Sequence, residues 1–510
     1  MKTVFRRGRV RTLAEPAICD WLLVDDGSIA ASGSGDEPDG ADDIVDLAGA
    51  TLLPAFCDAH VHLPATGLYA GGMDFRGVTS ARAILDSFSK RAATDALLFG
   101  GNFEDPLDEP LTRHDLDAAV GDRPALLARA DMHSCIVSSS LLSGLDVADL
   151  EGVDIDETGS PTGYLREQAA AAAWRWFDTR LPRPAQKQAL LAAVRLAYSK
   201  GVARVDEMYV AEWRGWESLD VLLEVASEVR LEVHPFIATT DVARIVDMGQ
   251  ERIGGDWFLD GSFGSHTAWL SSPYDPPPPE GSPAHGIAYR SDDEVLEFFL
   301  GAQAAGLQTS VHAIGDAAIE QALRAWERVA EKIGLDEVRA LSHRIEHFEC
   351  SSDDHIRRAA RLNLAISLQP AFDHYWGGPD GLYARRMGWE RARSMNRAAT
   401  MLAAGLTVGA GSDSTVTPLD PFLQMAALRG HHVAEQRLDP EAALRVHTVG
   451  SLALSPGAGP GTLLPGARAD LVVVDRDPVV CDDDELLATR VIGTWIEGVR
   501  VWPEDSPQEA

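Results

Sequence analysis

The 510-residue sequence predicts an α/β protein: a TIM-type (β/α)8 barrel, a small β-sandwich domain built from both termini, and an insertion near the barrel mouth. Three observations predict this fold. Strand-like apolar runs alternate with helical stretches through the middle of the chain, as in a parallel sheet or barrel. The two ends of the chain share a texture of short β segments and turns. The stretch from roughly 64 to 200 is too long for a single crossover between barrel strands.

The two ends are predicted to assemble into one β domain, residues 1–54 plus 457–510. Trp21–Ile29 is a strand, an Asp-Gly turn and a second strand. Near the other end, Ala469–Asp475 and Arg490–Val499 repeat this texture, and neither end contains a long helical pattern. Pairing the two ends is the simplest way to give these short strands partners.

Residues 55–456 are predicted to form the barrel, whose active site lies at the carboxyl ends of its strands. Helical stretches such as Asp292–Ala305 and Ala317–Ile333 separate several strands. The insertion at roughly 64–200 contains two more strand-like runs, Ala96–Gly101 and Ala125–Ala130, and is expected to cover part of the barrel mouth. The eight candidate barrel strands are Ala59–Leu63, Ala203–Met208, Leu231–Phe236, Trp257–Asp260, Thr309–Ala313, Arg344–Phe348, Leu364–Leu368 and Thr407–Gly411.

Composition excludes several classes of function. The 78 acidic and 45 basic residues give a formal charge of −33, which repels nucleic acid. No apolar run approaches the roughly 18 residues that span a bilayer, so no membrane association is predicted. The N-terminus turns polar before a signal peptide could form, and the five cysteines have no CxxC spacing. The sequence therefore predicts a cytoplasmic protein whose partner is a small-molecule substrate.

Histidines and one aspartate fall at the ends of the predicted barrel strands. His60 and His62 lie two apart on a strand, so their side chains point the same way. Alone this pair is weak evidence, because paired histidines on a strand are often ordinary polar residues. His312, His347 and Asp413 end three later strands, at the same rim of the barrel. Imidazole and carboxylate ligands favour a catalytic divalent metal, zinc or a similar ion, with one or two per chain.

Several segments carry a resemblance to known proteins: Leu53–Leu63, Asp131–Ser134, Gly163–Glu167, Leu259–Ser265, His312–Asp316, Arg344–His347 and Gly411–Asp413. The sequence resembles the amidohydrolase superfamily over nearly its whole length. Within it, the chain looks like the family-3 branch that includes the YtcJ-like proteins and N-substituted formamide deformylase. The motifs are specific for the superfamily and uninformative about the substrate.

The resemblance implies roles for these residues. His60, His62 and Asp413 would hold one metal ion, while His312 and His347 would hold a second ion or flank the first. Asp413 would also take a proton from the metal-bound water and pass it to the leaving group. A divalent metal lowers the pKa of bound water towards about 7 and polarises the scissile carbonyl.

The bridging ligand departs from the family pattern. Many relatives use a carboxylated lysine on the fourth strand, and the position aligned with it here is Asp256. Glu167, in a segment that resembles a recurrent element of the branch, is the favoured replacement and would reach the site from the insertion. Asp256 is the second option, although at the start of the predicted strand Trp257–Asp260 it lies at the wrong end unless the register slips. The third option is a mononuclear site.

Other residues are second-tier candidates. His133 is predicted to point into the substrate cavity and joins Asp413 and His347 as a candidate catalytic residue; the alternative is a loop histidine that caps a turn. Arg344 and Glu346 are expected to orient His347. Two further carboxylates complete this set: Asp260, expected to shape the site through its glycine-rich loop, and Glu207, expected either to support the ligands or to pair with an arginine.

The predicted activity is hydrolysis of a non-peptide carbon–nitrogen bond, an amide or formamide of a small molecule, by metal-activated hydroxide. A first alternative is a mononuclear deaminase of a cyclic amidine, with His60, His62, His312 and Asp413 as ligands and His347 on the substrate. A second alternative is a catalytically inactive binding protein on the same fold. The sequence does not predict the substrate. The oligomeric state is also left open, with a homo-oligomer allowed because relatives are often dimers or tetramers.

Overall fold

The computed structural model describes residues 1–130, 134–147, 150–279, 282–457 and 459–503. Several helices begin at caps that the sequence supplies. For example, Ser291 and Glu294 form a capping box at the start of the helix Asp292–Ala304. The strands are, in chain order, β1 (Lys2–Arg11), β2 (Ile18–Asp25), β3 (Ser28–Gly33), β4 (Asp43–Asp46), β5 (Thr51–Pro54), β6 (Phe56–Val61), β7 (Met73–Asp74), β8 (Leu98–Phe103), β9 (Ala125–Arg129), β10 (Ser134–Val137), β11 (Val153–Ile155), β12 (Pro161–Arg166), β13 (Val202–Val210), β14 (Glu232–Ala238), β15 (Arg252–Ile253), β16 (Gln308–Ala313), β17 (Arg344–His347), β18 (Ala365–Leu368), β19 (Thr407–Ala410), β20 (Leu471–Val474), β21 (Val491–Ile496) and β22 (Val499–Trp502).

Helices connect most of these strands, and a single π-helical turn occupies Val446–Gly450 in the described chain. The α-helices are α1 (Leu63–Gly71), α2 (Ala81–Arg91), α3 (Arg113–Val120), α4 (Ser139–Leu142), α5 (Glu167–Arg180), α6 (Arg183–Ser199), α7 (Ala211–Arg214), α8 (Trp216–Glu228), α9 (Val242–Asp247), α10 (Asp292–Ala304), α11 (Asp316–Ile333), α12 (Leu335–Arg339), α13 (Asp353–Leu362), α14 (Pro370–Trp376), α15 (Leu382–Met387), α16 (Trp389–Ala392), α17 (Ala398–Ala403), α18 (Pro421–Arg429), α19 (Pro440–Arg445), α20 (Ser451–Ala453) and α21 (Asp483–Leu487).

Strands from both ends of the chain share one sheet. Within the described ranges, β1 to β5 and β20 to β22 form an eight-stranded mixed sheet. β5 pairs with β1 on one side and with β20 on the other, which joins the N-terminal and C-terminal strands. Phe5 packs edge-on against Trp495 in its core, with ring centroids 5.2 Å apart. The sequence predicts a small β-sandwich here, and the described strands form one hydrogen-bonded sheet because β5 joins β1 to β20. The domain division at residues 54 and 457 stays a prediction.

The middle of the chain contains eight parallel strands in the predicted order. In the part of the chain that the structure describes, they group into a three-stranded sheet, β14-β13-β6, and a five-stranded sheet, β15 to β19. Backbone hydrogen bonds join the two sheets at both edges: Gly254 donates to the Ile237 carbonyl at 2.9 Å, and Asp413 donates to the His60 carbonyl at 2.8 Å. This strand order and these two junctions are what an eight-stranded parallel barrel requires.

Seven of the eight predicted strands overlap observed ones, and the fourth is wrong. The strand is Arg252–Ile253, which pairs with β16, and 257–260 contributes only an isolated bridge at Phe258. Gly254 and Gly255 follow the strand with φ values of 95° and 72°. A Cβ on Gly254 would lie 1.9 Å from the Ser310 carbonyl oxygen, so only glycine fits there. The strand therefore ends earlier than its apolar pattern indicates.

The insertion forms a sheet of its own, with strand order β11-β12-β10-β9-β8-β7 among the described residues. β8 and β9 overlap the two strand-like runs predicted in the sequence. The other four strands were not predicted. The helices of the insertion pack on this sheet around a buried core that includes Trp174 and Phe177. No helix in the described ranges combines the length and the apolar content needed to cross a bilayer.

Candidate metal centre

The metal-ligand candidates lie at the carboxyl ends of the parallel strands. His60 is on β6 and His62 just follows it; their ring centroids are 5.5 Å apart. His347 ends β17 with a φ of 68°, and Asp413 follows β19 with a φ of 51°. Positive φ is costly for residues other than glycine, and such strain often accompanies functional sites. The residues that the sequence predicts at the strand ends therefore lie close together in the fold.

Each of the four histidines uses one ring nitrogen to bond to a group outside the cluster. The partners differ in kind: Nδ1 of His60 to Glu346 (2.9 Å), Nδ1 of His62 to the Met208 carbonyl (2.9 Å), Nε2 of His312 to the Gly261 carbonyl (3.3 Å) and Nδ1 of His347 to Gln369 Oε1 (2.7 Å). Each partner is an acceptor, so this ring nitrogen donates, and in the neutral ring the other nitrogen carries a lone pair. Metal-binding histidines have this arrangement.

Asp256 places its carboxylate among the four histidines. Its Oδ2 lies 3.6 Å from Nε2 of His60 and 3.1 Å from Nε2 of His62. Its Oδ1 lies 3.6 Å from Nδ1 of His312 and 3.7 Å from Nε2 of His347. One oxygen thus faces each histidine pair. The turn at Gly254 and Gly255 brings Asp256 there, so it follows the strand rather than starting it.

Asp413 also faces His60 and His62. Its Oδ1 lies 3.5 Å from Nε2 of His60 and 3.1 Å from Nε2 of His62. Two sets of potential ligand atoms therefore come together within the described residues: His60, His62 and Asp413, and His60, Asp256 and His347.

The atoms that face the centre have no hydrogen-bond partner in the described chain. These buried atoms are His60 Nε2, Asp256 Oδ1, His312 Nδ1, His347 Nε2 and Asp413 Oδ1. Leaving a buried polar atom unpaired costs about 1–3 kcal/mol, so such atoms need an explanation. Their convergence, and their N and O chemistry, fit a divalent metal ion.

The electrostatics also favour a cation here. Burial lowers the pKa of His62, but the neighbouring carboxylates of Asp256 and Asp413 outweigh this and raise it to about 10. Burial raises the pKa of Asp256, but His60 and the other histidines outweigh this and hold it well below its usual range. The two carboxylates are thus ionised and draw positive charge into the cluster, from protons or from a metal.

A buried ion network holds His60 in place. Oε1 of Glu346 accepts from Arg344 at 2.9 Å and from the Ser310 hydroxyl at 2.5 Å. Arg344 also donates to Asp206 at 2.5 Å. The sequence predicts that Arg344 and Glu346 orient His347, and this is wrong: neighbouring strand residues point to opposite sides, so Glu346 reaches His60. His347 is oriented by Gln369 instead.

The geometry favours Asp256 over Glu167 for the shared position. Glu167 belongs to neither set of potential ligand atoms, and its Oε2 accepts a hydrogen bond from the Tyr289 hydroxyl at 3.3 Å. It begins α5 in the insertion, whereas Asp256 lies within 3.1 to 3.7 Å of all four histidines. His133, the third candidate catalytic residue, lies outside the described residues.

The two remaining carboxylates support the rim. Asp260 accepts from the backbone N–H groups of Ile314, Gly315 and Trp269 at 2.8–3.0 Å, which agrees with its expected role in shaping the loop. Glu207 is buried and accepts from the Leu63 N–H at 2.5 Å, beside His62. Burial raises the pKa of both, to about 7.

Sequence reasoning missed Gln369 and the carbonyls of Met208 and Gly261. Gln369 directly follows the predicted strand Leu364–Leu368, so its position at a strand end was a usable signal. The two carbonyls gave no signal in the sequence, because every residue type has a backbone oxygen. All three fix histidine orientation, which only the folded chain reveals.

A cavity of about 560 Å³ opens over the centre. Its base includes His62, Asp256, His312, His347 and Asp413. Its walls come from the loops that follow the parallel strands and from the insertion, which contributes residues such as Glu104 and Arg129. The centre is therefore reachable by a small molecule.

Comparisons with known proteins agree with this geometry. A family model described as "Amidohydrolase family" matches residues 43–502. The chain is 28% identical to the amidohydrolase-like protein YtcJ of Bacillus subtilis (strain 168), covering 98% of this chain and 99% of YtcJ. It is 26% identical to N-substituted formamide deformylase of Arthrobacter pascens, covering 96% of each. The crystal structure of an uncharacterised metal-dependent hydrolase from Pyrococcus furiosus superposes with a TM-score of 0.75 at 27% identity, covering 94% of this chain and 100% of that one.

Proposed function

Because this chain belongs to the amidohydrolase family, we propose that it is a metal-dependent hydrolase that cleaves a non-peptide carbon–nitrogen bond, an amide or formamide, in a small molecule. One observation carries the proposal: buried ring-nitrogen and carboxylate atoms without described hydrogen-bond partners converge at the base of an open cavity. We take the two joined parallel sheets to be a closed (β/α)8 barrel, in which this rim is the usual place for catalysis.

We propose that the centre holds two divalent ions, zinc being the expected metal. His60, His62 and Asp413 would hold one ion, and His312 and His347 the other. Asp256 would bridge them, since one of its oxygens faces each histidine pair. When bound, such ions polarise a carbonyl and lower the pKa of a water ligand.

Asp413 is the proposed proton carrier. Its buried carboxylate lies at the centre, and His60 and His62 hold its pKa below the usual range against the effect of burial, so it is available as a base. It would take one proton from the attacking water and deliver it to the leaving nitrogen. The water oxygen bonds to the carbonyl carbon and the C–N bond breaks, which gives a carboxylic acid and an amine. The acid then releases the second water proton to solvent and leaves as a carboxylate. Asp413 is regenerated in its ionised form.

Two features favour this activity over the alternatives. A mononuclear deaminase would not need a carboxylate facing both histidine pairs, which is where Asp256 lies. A catalytically inactive binding protein would gain nothing from burying a set of unpaired ligand atoms at a cost in stability. The five free cysteines agree with the cytoplasm as the proposed compartment.

The test combines metal counting with a substrate screen. We expect elemental analysis to find two ions per chain, and a panel of N-formyl, N-acyl and cyclic amides to include a hydrolysed compound. Asp413→Asn should lower kcat/KM by about 1,000-fold. The exposed Asp336→Asn is the matched control and should be unaffected. Protein that binds no divalent metal at any concentration would refute the proposal, and one ion per chain would refute the bridged site.

A further inference from the structure

We propose that the substrate carries an anionic group, a carboxylate in the simplest case, and that Arg386 binds it in the wall of the cavity. This inference rests on the proposed function and names the class of amide that it acts on: one with an aromatic or flat apolar body and a negative charge. The observations that carry it are the bonding of Arg386, its link to the metal centre and the aromatic side chains that line the same cavity.

Arg386 lies on α15, half-buried in the cavity lining. Its Nε donates to the Phe263 carbonyl at 3.1 Å and its Nη2 to the Gly264 carbonyl at 3.0 Å. No carboxylate pairs with it anywhere in the described residues. That is unexpected in a chain with 78 acidic residues, where a structural arginine would readily find one. The remaining guanidinium N–H groups can bind a carboxylate through two parallel hydrogen bonds.

The surroundings of Arg386 leave its charge poorly compensated. Burial lowers the pKa of Arg386, and Arg385 and Arg129 nearby act in the same direction. Arg129 has an ion pair of its own, 3.4 Å from Asp105. Glu349, another acid of the cavity lining, accepts from the Tyr383 hydroxyl at 2.6 Å. The positive charge of Arg385 and Arg129 near Arg386 would favour a ligand anion at this point of the wall.

One short loop ties Arg386 to the metal centre. The Gly261 carbonyl accepts from His312, and the Gly264 carbonyl three residues later accepts from Arg386. Three residues span about 10 Å when fully extended, so this loop sets an upper limit on the separation of those two carbonyls. A small molecule can bridge a distance of this size, with its scissile bond at the centre and its anion at Arg386.

Aromatic side chains lie beside the histidines of the metal centre. Trp213 stacks on Phe258 at 5.1 Å, and Phe258 contacts the ring of His312 at 4.7 Å. Phe372 lies parallel to His347 at 6.1 Å. All three aromatic side chains line the cavity. They suit a flat apolar group next to the scissile bond.

The test compares two ligands that differ only in their terminal group: a carboxylate in N-acetylphenylalanine and a neutral carboxamide in N-acetylphenylalaninamide. Their affinities for the metal-loaded protein are measured by titration calorimetry, and kcat/KM is measured for whichever is hydrolysed. We expect the anionic ligand to be preferred by about 10- to 100-fold, the value of a charged hydrogen-bond pair. Arg386→Gln should abolish that preference, raising KM rather than lowering kcat, and Arg386→Lys should restore part of it.

Arg391→Gln is the matched control. Arg391 also donates to two backbone carbonyls, those of Pro273 (2.7 Å) and Ser272 (3.1 Å), but it does not line this cavity. Its variant should keep the full preference, which separates anion binding from loop support.

The possible outcomes distinguish failure of the inference from failure of the proposed function. Equal affinity of the wild-type protein for both ligands, or no binding of the anion at millimolar concentration, overturns the inference without any variant. A preference that survives Arg386→Gln also overturns it, because the anion then binds elsewhere, for example at the metal. If the preference depends on Arg386 but no amide is hydrolysed, the inference stands and the proposed function fails.

Discussion

Oε2 of Glu346 accepts a hydrogen bond of 2.9 Å from Nδ1 of His60, and neither side chain is exposed to solvent. Burial raises the pKa of Glu346, but Arg344 and then His60 outweigh this and bring it to about 2. The carboxylate is therefore ionised and accepts, so His60 presents the lone pair of Nε2 to the metal centre. Glu346 is a positioning residue for the first metal ligand.

Replacing Glu346 by glutamine should weaken metal binding by about 10- to 100-fold, because the second partner of a metal-binding histidine fixes its tautomer and orientation. The measurement is a competition titration with a metal chelator. Glu327→Gln is the control, since Glu327 bonds to Arg358 on α11 and α13, outside the centre. Unchanged affinity in Glu346→Gln would show that Glu346 only balances the charge of Arg344.

Asp256→Asn should reduce the metal content from two ions to one or none and lower kcat/KM by at least about 100-fold, because an amide is a poor bridge between two cations. Glu167→Gln should keep both ions. Elemental analysis of the two purified variants decides the matter. If Glu167→Gln loses metal while Asp256→Asn keeps it, the bridging carboxylate comes from the insertion after all.

Gly254→Ala should lower the free energy of unfolding by about 3 kcal/mol or more, because the new Cβ would meet the Ser310 carbonyl oxygen at 1.9 Å and φ is 95°. It should also displace Asp256 and reduce metal content. Gly249→Ala is the control: φ is 66°, yet nothing lies within 4 Å of the added carbon. Gly249→Ala should lower the free energy of unfolding by about 1 kcal/mol, measured by denaturant unfolding of the metal-free protein. Equal losses of unfolding free energy in the two variants would mean that the positive φ, and not the contact with the Ser310 carbonyl, explains both.

His343 should make the protein less stable as the pH falls. Burial lowers its pKa to about 3, and its Nδ1 accepts from the Thr309 N–H at 3.0 Å, which requires the neutral ring. Between pH 6.5 and 3 the unfolded chain binds a proton that the folded chain does not, so stability is lost across that window as pH falls. The loss attributable to His343 is about 2 kcal/mol from pH 7 to pH 5.

His343→Asn tests this, since its side-chain oxygen can still accept from Thr309. Denaturant unfolding at pH 7 and at pH 5 should show a smaller difference between the two pH values for the variant than for the wild-type protein. The buried His447, whose pKa burial also lowers to about 3, keeps part of the dependence in both proteins. Parallel curves for the two proteins would contradict the assignment to His343.

Strand periodicity made much of this molecule predictable. β16 and β17 are buried along their whole length, and the sequence predicted the bounds of each to within a residue. His60, His62, His312, His347 and Asp413 were placed at strand ends by the same patterns. The failure at Trp257–Asp260 has a local cause: an apolar run next to Gly254-Gly255 looks like a strand, although the two glycines have already ended it.

The sequence by itself determined the ligand types and their order along the chain, because strand ends and residue identities are local properties. Only the tertiary structure decided that Asp256 rather than Glu167 lies between the histidine pairs, because that depends on a turn closed by the Ser310 carbonyl of the next strand. It also decided that Glu346 accepts a hydrogen bond from His60, 286 residues away in the chain. Contacts of this kind form only when distant strands come together, and no local pattern records them.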